Sequence, residues 1–145
     1  MALRPFLFMV IDTLLWTVGG RADAEALAVA TSPDQTITVS VALDGDGRIS
    51  YQVARKGRPV IAPSQLGFIL TDQPGMVRGF RFEGSETGSG QEDWEQPWGE
   101  RRYVRSRYTE LVARFRQTDG SDRHFSLRFR LFDDGIGFRY EVPRQ

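Results

Sequence analysis

The sequence of 145 residues contains no cysteine and only one histidine, His124. Without cysteine the chain has no disulfides, no thiolate zinc site and no cysteine nucleophile. A single histidine excludes a metal site built on two histidines. A Ser-His-Asp triad is formally open, but no nucleophile-elbow motif supports it. Thiol chemistry and histidine-based metal centres are therefore removed from the candidate functions.

An excess of charge of either sign is also lacking, since Lys+Arg and Asp+Glu both number 19. A balanced chain offers no basic surface for nucleic acid or for an anionic membrane. With 40% hydrophobic and 26% charged residues, the composition is that of an ordinary folded domain. The length leaves room for one domain. We therefore expect neither a nucleic-acid partner nor a membrane span.

The first 24 residues differ from the rest. A basic start at Arg4 leads into an apolar run over residues 6–18, followed by the small-x-small sequence "ADA" at 22–24. These are the three parts of a secretory signal. The apolar run, interrupted by Asp12, is too short to cross about 30 Å of hydrocarbon. We predict a signal peptide over 1–24, a mature domain over 25–145, and secretion across the inner membrane to the periplasm or cell surface.

After residue 24 the dominant pattern is alternation with a period of two, and no segment shows a helical period over three turns. In "TITVSVAL" (36–43) the apolar residues Ile37, Val39, Val41 and Leu43 share one face, and "ISYQV" (49–53) returns after the turn sequence "DGDG". The same alternation marks 111–115, 125–131 and 136–142. Shorter strands are expected at 60–61, 66–70 and 77–82. The sequence predicts an all-β, antiparallel β-sandwich of about seven or eight strands.

Four arginines alternate with the apolar residues of two of these strands: Arg114, Arg116, Arg128 and Arg130. We expect them on a solvated or ion-paired outer face of the sheet. "DGDGR" resembles the start of a calcium loop, but its twelfth position is Arg55 rather than glutamate, so a hairpin turn is expected. The "DDG" sequence at 133–135 is likewise expected to be a turn.

The segment "EDWEQPWGERR" (92–102) is the least ordinary part of the chain, and we expect it to be an irregular loop preceded by a glycine-rich stretch, "GSETGSG". Its carboxylates could serve glycoside hydrolysis or bind a hard cation. Its indoles could stack on sugar rings. Alternatively, Trp94 and Trp98 anchor the loop on the sandwich, with Pro97 and Gly99 shaping its backbone. Residue chemistry favours the last interpretation and leaves the others open.

Three segments in order resemble glycoside hydrolase family 97: "TSPDQTITVSVALDGDGRISYQVARKGRPVIAPSQLGFIL", "DWEQPWGERRYVRSRYTEL" and "LRFRLFDDGIGFRYEVP". The likeness runs from about Thr31 to Pro143. One departure is Ser106-Arg107, where the family often has Asn-His. The resemblance implies bacterial, exported, calcium-dependent enzymes acting on α-glucosides or α-galactosides. It also implies an N-terminal domain that is part of a galactose-mutarotase-like super-sandwich, followed by a (β/α)₈ barrel that carries the catalytic carboxylates and most calcium ligands.

On this resemblance we expect the chain to be the N-terminal sandwich of such an α-glycosidase, bracing the missing barrel and inactive alone. No catalytic or metal-binding residue is carried over, and calcium is expected only in the full enzyme. Trp94, Trp98 and Glu100 are the expected contacts to oligosaccharide or polysaccharide. The alternative is a stand-alone carbohydrate-binding or structural module of the periplasm or cell surface. We also expect the isolated domain to be of marginal stability, with the apolar face of 125–131 partly uncovered.

Overall fold

The computed structural model describes residues 25–100 and 102–143, so the expected signal peptide lies outside the described residues. Two antiparallel sheets of four strands each follow one another along the chain. The first sheet has the order β1-β2-β3-β4, with bounds Ala26–Thr31, Ile37–Leu43, Ile49–Arg55 and Arg58–Gln65. The second has the order β5-β6-β7-β8, with bounds Phe80–Glu95, Tyr103–Gln117, His124–Leu131 and Ile136–Glu141. The described residues contain no helix, and the all-β sandwich is confirmed.

The alternating apolar residues form the core between the two sheets. The β2–β3 hairpin is confirmed, and Ile37, Val39 and Val41 are buried as predicted. On β7, Phe125, Leu127, Phe129 and Leu131 are at most 2% exposed. The expectation that this face is partly uncovered is therefore wrong, because the first sheet covers it. Aromatic rings fill much of the layer, as in the edge-on pair Phe80–Phe125, whose centroids lie 5.0 Å apart.

The segment between β4 and β5 differs from the sequence prediction. Residues 66–70 form no strand. Phe68, within them, forms an isolated β-bridge with Met76. This segment is held by side chains from the β6–β7 turn. Arg123 donates to the carbonyl of Pro74 at 2.8 Å and to Gln117 Oε1 at 3.1 Å, and Gln117 Nε2 donates to the carbonyl of Arg78 at 3.0 Å. Buried Leu66 and Met76 supply the apolar contacts that looked like strand residues in the sequence.

Two further strand assignments are corrected. β1 was not predicted, because only Ala28 and Ala30 of this strand face the core and alanine gives a weak apolar signal. β4 spans Arg58–Gln65 rather than two residues. It is an edge strand that is exposed over most of its length, so it has no alternating pattern to detect.

The expected glycine-rich stretch and the first four of the eleven residues of the expected tryptophan loop are part of β5. This strand pairs with β6 without interruption from Gly84↔Arg114 to Glu95↔Tyr103. β7 pairs with β6 only from Thr109 to Arg116. Residues 90–95 and 103–108 therefore form a two-stranded extension beyond the four-stranded part of the sheet. We call this extension the arm, and the described residues between its strands, 96–100 and 102, the tip.

The base of the arm is fixed by Tyr108. Its ring lies 5.6 Å from the Phe132 ring, and the Arg130 guanidinium lies 4.5 Å from its centroid. Gly90 is the cross-strand partner of Tyr108 and lies beneath the ring. A Cβ at Gly90 would lie 2.8 Å from Tyr108 Cε2, and closer still to Cζ and the hydroxyl oxygen. Glycine is therefore required at 90 for the close approach of the ring.

The turn between β1 and β2 is organised by Asp34. Its Oδ1 accepts hydrogen bonds from Ser32 Oγ at 2.6 Å and from the backbone N–H of Thr36 at 3.0 Å. These hydrogen bonds, from Ser32 first and then from Thr36, lower the pKa of Asp34 to about 2. The Asp34 N–H in turn donates to Asp133 Oδ1 at 2.9 Å, so the β1–β2 turn is tied to the β7–β8 turn.

We predict that Asp34→Asn makes stability less dependent on pH in the acid range. A carboxylate whose folded pKa of about 2 lies below the unfolded value of about 3.9 stabilises the fold above about pH 4. That contribution is lost as the pH falls towards 2. The variant should have a lower Tm at pH 7 and a shallower fall of Tm between pH 5 and 2 in thermal melts followed by circular dichroism. Asp72→Asn, at an exposed position of the 66–79 segment, is the control, and equal pH profiles for Asp34→Asn and the parent would contradict the assignment.

We predict opposite effects for alanine at two glycines of the same strand face. Gly90→Ala should displace the Tyr108 ring and destabilise the domain by about 1–3 kcal/mol, as overpacking does. At Gly88 a Cβ meets nothing within 4 Å. Gly88→Ala should be neutral or stabilise by up to about 1 kcal/mol through reduced backbone entropy. Urea denaturation of both variants gives the comparison, and equal effects at 88 and 90 would refute the close packing at the arm base.

Candidate functional site

The arm and the tip carry the three residues that are expected to bind carbohydrate. Trp98 and Glu100 lie on the tip, and Trp94 lies on the arm opposite Val104. The indole of Trp98 is 82% exposed and that of Trp94 46% exposed. Neither ring is buried on the sandwich, so the interpretation that the tryptophans anchor a loop on the sandwich is wrong. In the described chain these rings are open to contact with something outside it.

The carboxylates of the arm are engaged in ion pairs. Asp93 accepts from Arg105 Nε at 3.1 Å, and Glu95 accepts from Arg102 Nε at 2.6 Å. Glu92 pairs with Arg130 of β7 and so ties the arm to the four-stranded sheet. Each of these carboxylates is thus engaged by a guanidinium group. The geometry gives no support to these groups as a glycosidase acid–base pair.

The outer face of the second sheet carries a continuous row of alternating charges, which we call the ion ladder. It runs in contact order through the following six residues: Glu92, Arg130, Glu110, Arg128, Glu141 and Arg139. Arg128 holds both oxygens of Glu141, at 2.7 and 3.0 Å, and this hydrogen bonding lowers the pKa of Glu141. The expected ion-paired outer face is confirmed.

The ladder also covers apolar surface. Val112 lies on the outer face between its cross-strand neighbours Glu86 and Arg128, yet it is only 4% exposed. The aliphatic stems of long charged side chains shield such a residue while their heads stay in water. Arg114 pairs with Glu86, and Arg116 with Asp122, so the four arginines singled out in the sequence all have acidic partners.

Two depressions open on the described surface. A cavity of about 430 Å³ lies against the 66–79 segment and is lined in part by Asp46, Arg78 and Asp119. A groove of about 200 Å³ lies beside the ion ladder, between Phe132, Phe138 and the ladder arginines, where Gly137 leaves space. Neither depression includes Trp94, Trp98 or Glu100. The expected binding residues lie on the arm and the tip, away from both of these depressions.

A buried cation lies near the larger cavity. Arg123 is 7% exposed, and its Nη2 is buried without a hydrogen-bond partner, 3.9 Å from Asp119 Oδ2. Through its Nη1, which donates to the Pro74 carbonyl at 2.8 Å, the residue holds the 66–79 segment in place. His124 is a partly exposed edge residue, with Nδ1 3.3 Å from Glu83 Oε2.

No group of three or more His, Cys, Asp or Glu side chains that could hold a metal ion occurs within residues 25–100 and 102–143. Both aspartate-rich sequences form turns as predicted. Asp44 accepts from the backbone N–H of Arg48 at 2.8 Å, and Phe132 N–H donates to the Gly135 carbonyl at 2.8 Å. The donor set of the described residues does not fit a calcium site. No helix in this part of the chain is long and apolar enough to cross a membrane.

Comparison with known proteins places the sandwich in a family. The family model described as Glycosyl-hydrolase 97 N-terminal matches residues 30–145. A probable retaining alpha-galactosidase of Streptomyces bingchenggensis (strain BCW-1) is 33% identical over 129 residues, which are 89% of this chain and 18% of that protein.

Solved structures give the same result. A glycoside hydrolase family 97 enzyme of Pseudoalteromonas sp. strain K8, in complex with panose, is 35% identical with a TM-score of 0.74, and the match covers 81% of this chain and 18% of the enzyme. A beta-arabinopyranosidase, 21% identical with a TM-score of 0.73, shares the fold. The chain thus spans about a fifth of the length of these relatives. It belongs to the glycosyl-hydrolase 97 N-terminal domain family.

Proposed function

We propose that this chain is the sandwich portion of an exported, calcium-dependent α-glycosidase, that it braces the catalytic barrel of that enzyme, and that it has no activity by itself. The observation that carries the proposal is the family match over residues 30–145, together with relatives in which the matching segment is 18% of a longer enzyme. The described residues are compatible with this proposal, because the carboxylates of the arm form ion pairs with arginines.

The proposed substrate class is an α-linked oligosaccharide. The Pseudoalteromonas enzyme was solved with panose and with acarbose, and the Streptomyces relative is a probable alpha-galactosidase, so both α-glucosides and α-galactosides are candidates. In the parent enzyme, carboxyl groups of the barrel would protonate the glycosidic oxygen and activate water or attack the sugar. Calcium, in this proposal, is held by the barrel and not by the residues described above.

The tip is the part of the chain that we propose to meet the sugar. An exposed indole offers an apolar face to the C–H face of a pyranose, and a neighbouring carboxylate can accept hydrogen bonds from sugar hydroxyls. Trp98 and Glu100 provide these two groups on the exposed tip. Trp94, on the arm below them, completes the proposed carbohydrate-contacting set from a less exposed position.

A chimeric enzyme tests the proposal. In the Pseudoalteromonas enzyme, the segment matched by this chain is replaced with residues 30–143 of this protein. We expect the chimera to hydrolyse α-glucosides, and Trp98→Ala and Glu100→Gln to raise KM about tenfold with little change in kcat, because they remove about 1.4 kcal/mol of substrate binding. Val60→Ala, at an exposed valine of β4, is the matched control.

A folded chimera without hydrolase activity would contradict the proposal. Affinity electrophoresis of the exported chain alone distinguishes the proposed function from that of a stand-alone binding module. Retention by a soluble α-glucan that Trp98→Ala abolishes would favour that alternative, whereas the proposal predicts no retention by the isolated chain, since the sugar site is completed only by the barrel.

A further inference from the structure

The outer face of the arm carries the ion-paired Glu92 and, farther out, the exposed Trp94. By the alternation of side chains in a strand, Trp94 shares this face with Tyr108 and with its own cross-strand partner Val104. Tyr108 is packed against Phe132 at the base, but Trp94 lies farther out and remains 46% exposed. The arm thus presents a partly exposed indole, and aromatic residues are enriched at protein interfaces relative to the rest of the surface.

Near its base, the arm is tied to the four-stranded sheet by the ion pair of Glu92 with Arg130. Its strands pair only with each other, because the β6–β7 ladder ends at Thr109. Six residue pairs at about 3.4 Å each project roughly 20 Å from the sheet. An isolated two-stranded hairpin is at best marginally stable in water. A long, regular projection of this kind gains its stability when a second body packs against it.

The charges of the arm are suited to burial by a protein surface. Asp93 and Glu95 are paired with Arg105 and Arg102, and Glu92 is paired with Arg130. Of these three carboxylates, only that of Glu92 shares the outer face with Trp94, and its pairing with Arg130 lowers the cost of removing it from water. The strand β5, at the edge of the second sheet, is unsuited to pairing with a second copy of the chain. It has a bulge at Phe82/Gly84 and several charged residues, features that block edge-to-edge pairing.

We propose that the arm is a docking hairpin whose outer face, anchored by Trp94, packs against the catalytic module of the parent enzyme and thereby fixes the position of the tip. The inference rests on the proposed function, which supplies the partner: the folded remainder of a family 97 enzyme, with an apolar pocket for an indole and a polar rim. A large aromatic residue at the centre of such a contact carries a disproportionate share of the binding energy. Trp94 is then a positioning residue, and Trp98 reaches the sugar because the arm is held.

The experiment uses the exported chain labelled with 5-fluorotryptophan. Trp94 and Trp98 are the only tryptophans after residue 24, so the mature protein gives two ¹⁹F resonances, and Trp98→Phe assigns them. The binding partner is the Pseudoalteromonas family 97 enzyme lacking the segment that this chain matches. That enzyme's own segment, added back, is the positive control. On binding, we expect the Trp94 resonance to shift and to lose its sensitivity to exchange of H₂O for D₂O.

Affinity measurements complete the test. Trp94→Ala should weaken binding about tenfold or more, whereas Val60→Ala on β4 should leave it unchanged. Binding with an unmoved Trp94 resonance, or with equal affinity for Trp94→Ala, would overturn the docking role and leave the proposed function intact. Failure of this chain to bind, while the enzyme's own segment binds, would overturn both. Since the ¹⁹F measurement uses the unmutated protein, it does not depend on the folding of any variant.

Discussion

The pairing of β5 with β6 runs from Phe80↔Gln117 to Glu95↔Tyr103, whereas β7 accompanies β6 for only about half of that length. Backbone hydrogen bonds between these two long strands fix their relative register, and with it the position of the residues that they carry. On one side of the Thr109 boundary, β6 is an inner strand of a packed sandwich. On the other side, the same two strands form the arm and present the tryptophans. The division of the molecule into a core and a projection follows from this mismatch of strand lengths.

The packed half is stabilised from both faces of the second sheet. Inside, the alternating apolar residues of β7 are almost completely buried against the first sheet. Outside, the ion ladder joins β5, β6, β7 and β8 through side chains, and its aliphatic stems cover Val112. Exposed ion pairs contribute little one by one. Here the half-buried, bidentate contact of Arg128 with Glu141 and the shared acceptor Glu110 make the ladder a network, which fixes the arginines in place.

The sequence predicts strands well where one face of the strand is buried and the other is exposed to solvent. The hairpin of 36–53, the strand 125–131 and the ion-paired arginines all show this alternation and were predicted. β1 and β4 were missed or shortened because edge strands bury few large residues. In the β5 half of the arm the sequence predicts a loop, because glycines and charges dominate it, whereas its extended form follows from its pairing with β6. Gly90 illustrates the point, since its role depends on the position of Tyr108 across the strand pair.

For the candidate site, residue types identified Trp94, Trp98 and Glu100, but their placement on a projection depends on long-range pairing that no local pattern reveals. The resemblance to family 97, confirmed by the comparisons, explains why exposed indoles on this sandwich need not form a complete binding site: in the relatives the matching segment is 18% of a larger enzyme. The functional interpretation therefore depends on the arm being a structure completed from outside.

Hydrogen exchange of residues 25–145, followed by NMR, tests this claim most directly. Backbone amides of the arm strands, such as those of Asp93 and Arg105, are compared with backbone amides of the packed half, such as those of Leu111 and Phe115. Few buried contacts and exposed backbone hydrogen bonds lower the free energy of local opening. The account predicts that arm amides exchange at least about a hundredfold faster than those of the packed half, a difference of roughly 2.7 kcal/mol in opening free energy. Equal protection in the two halves would show that the arm is stable by itself and would contradict the account.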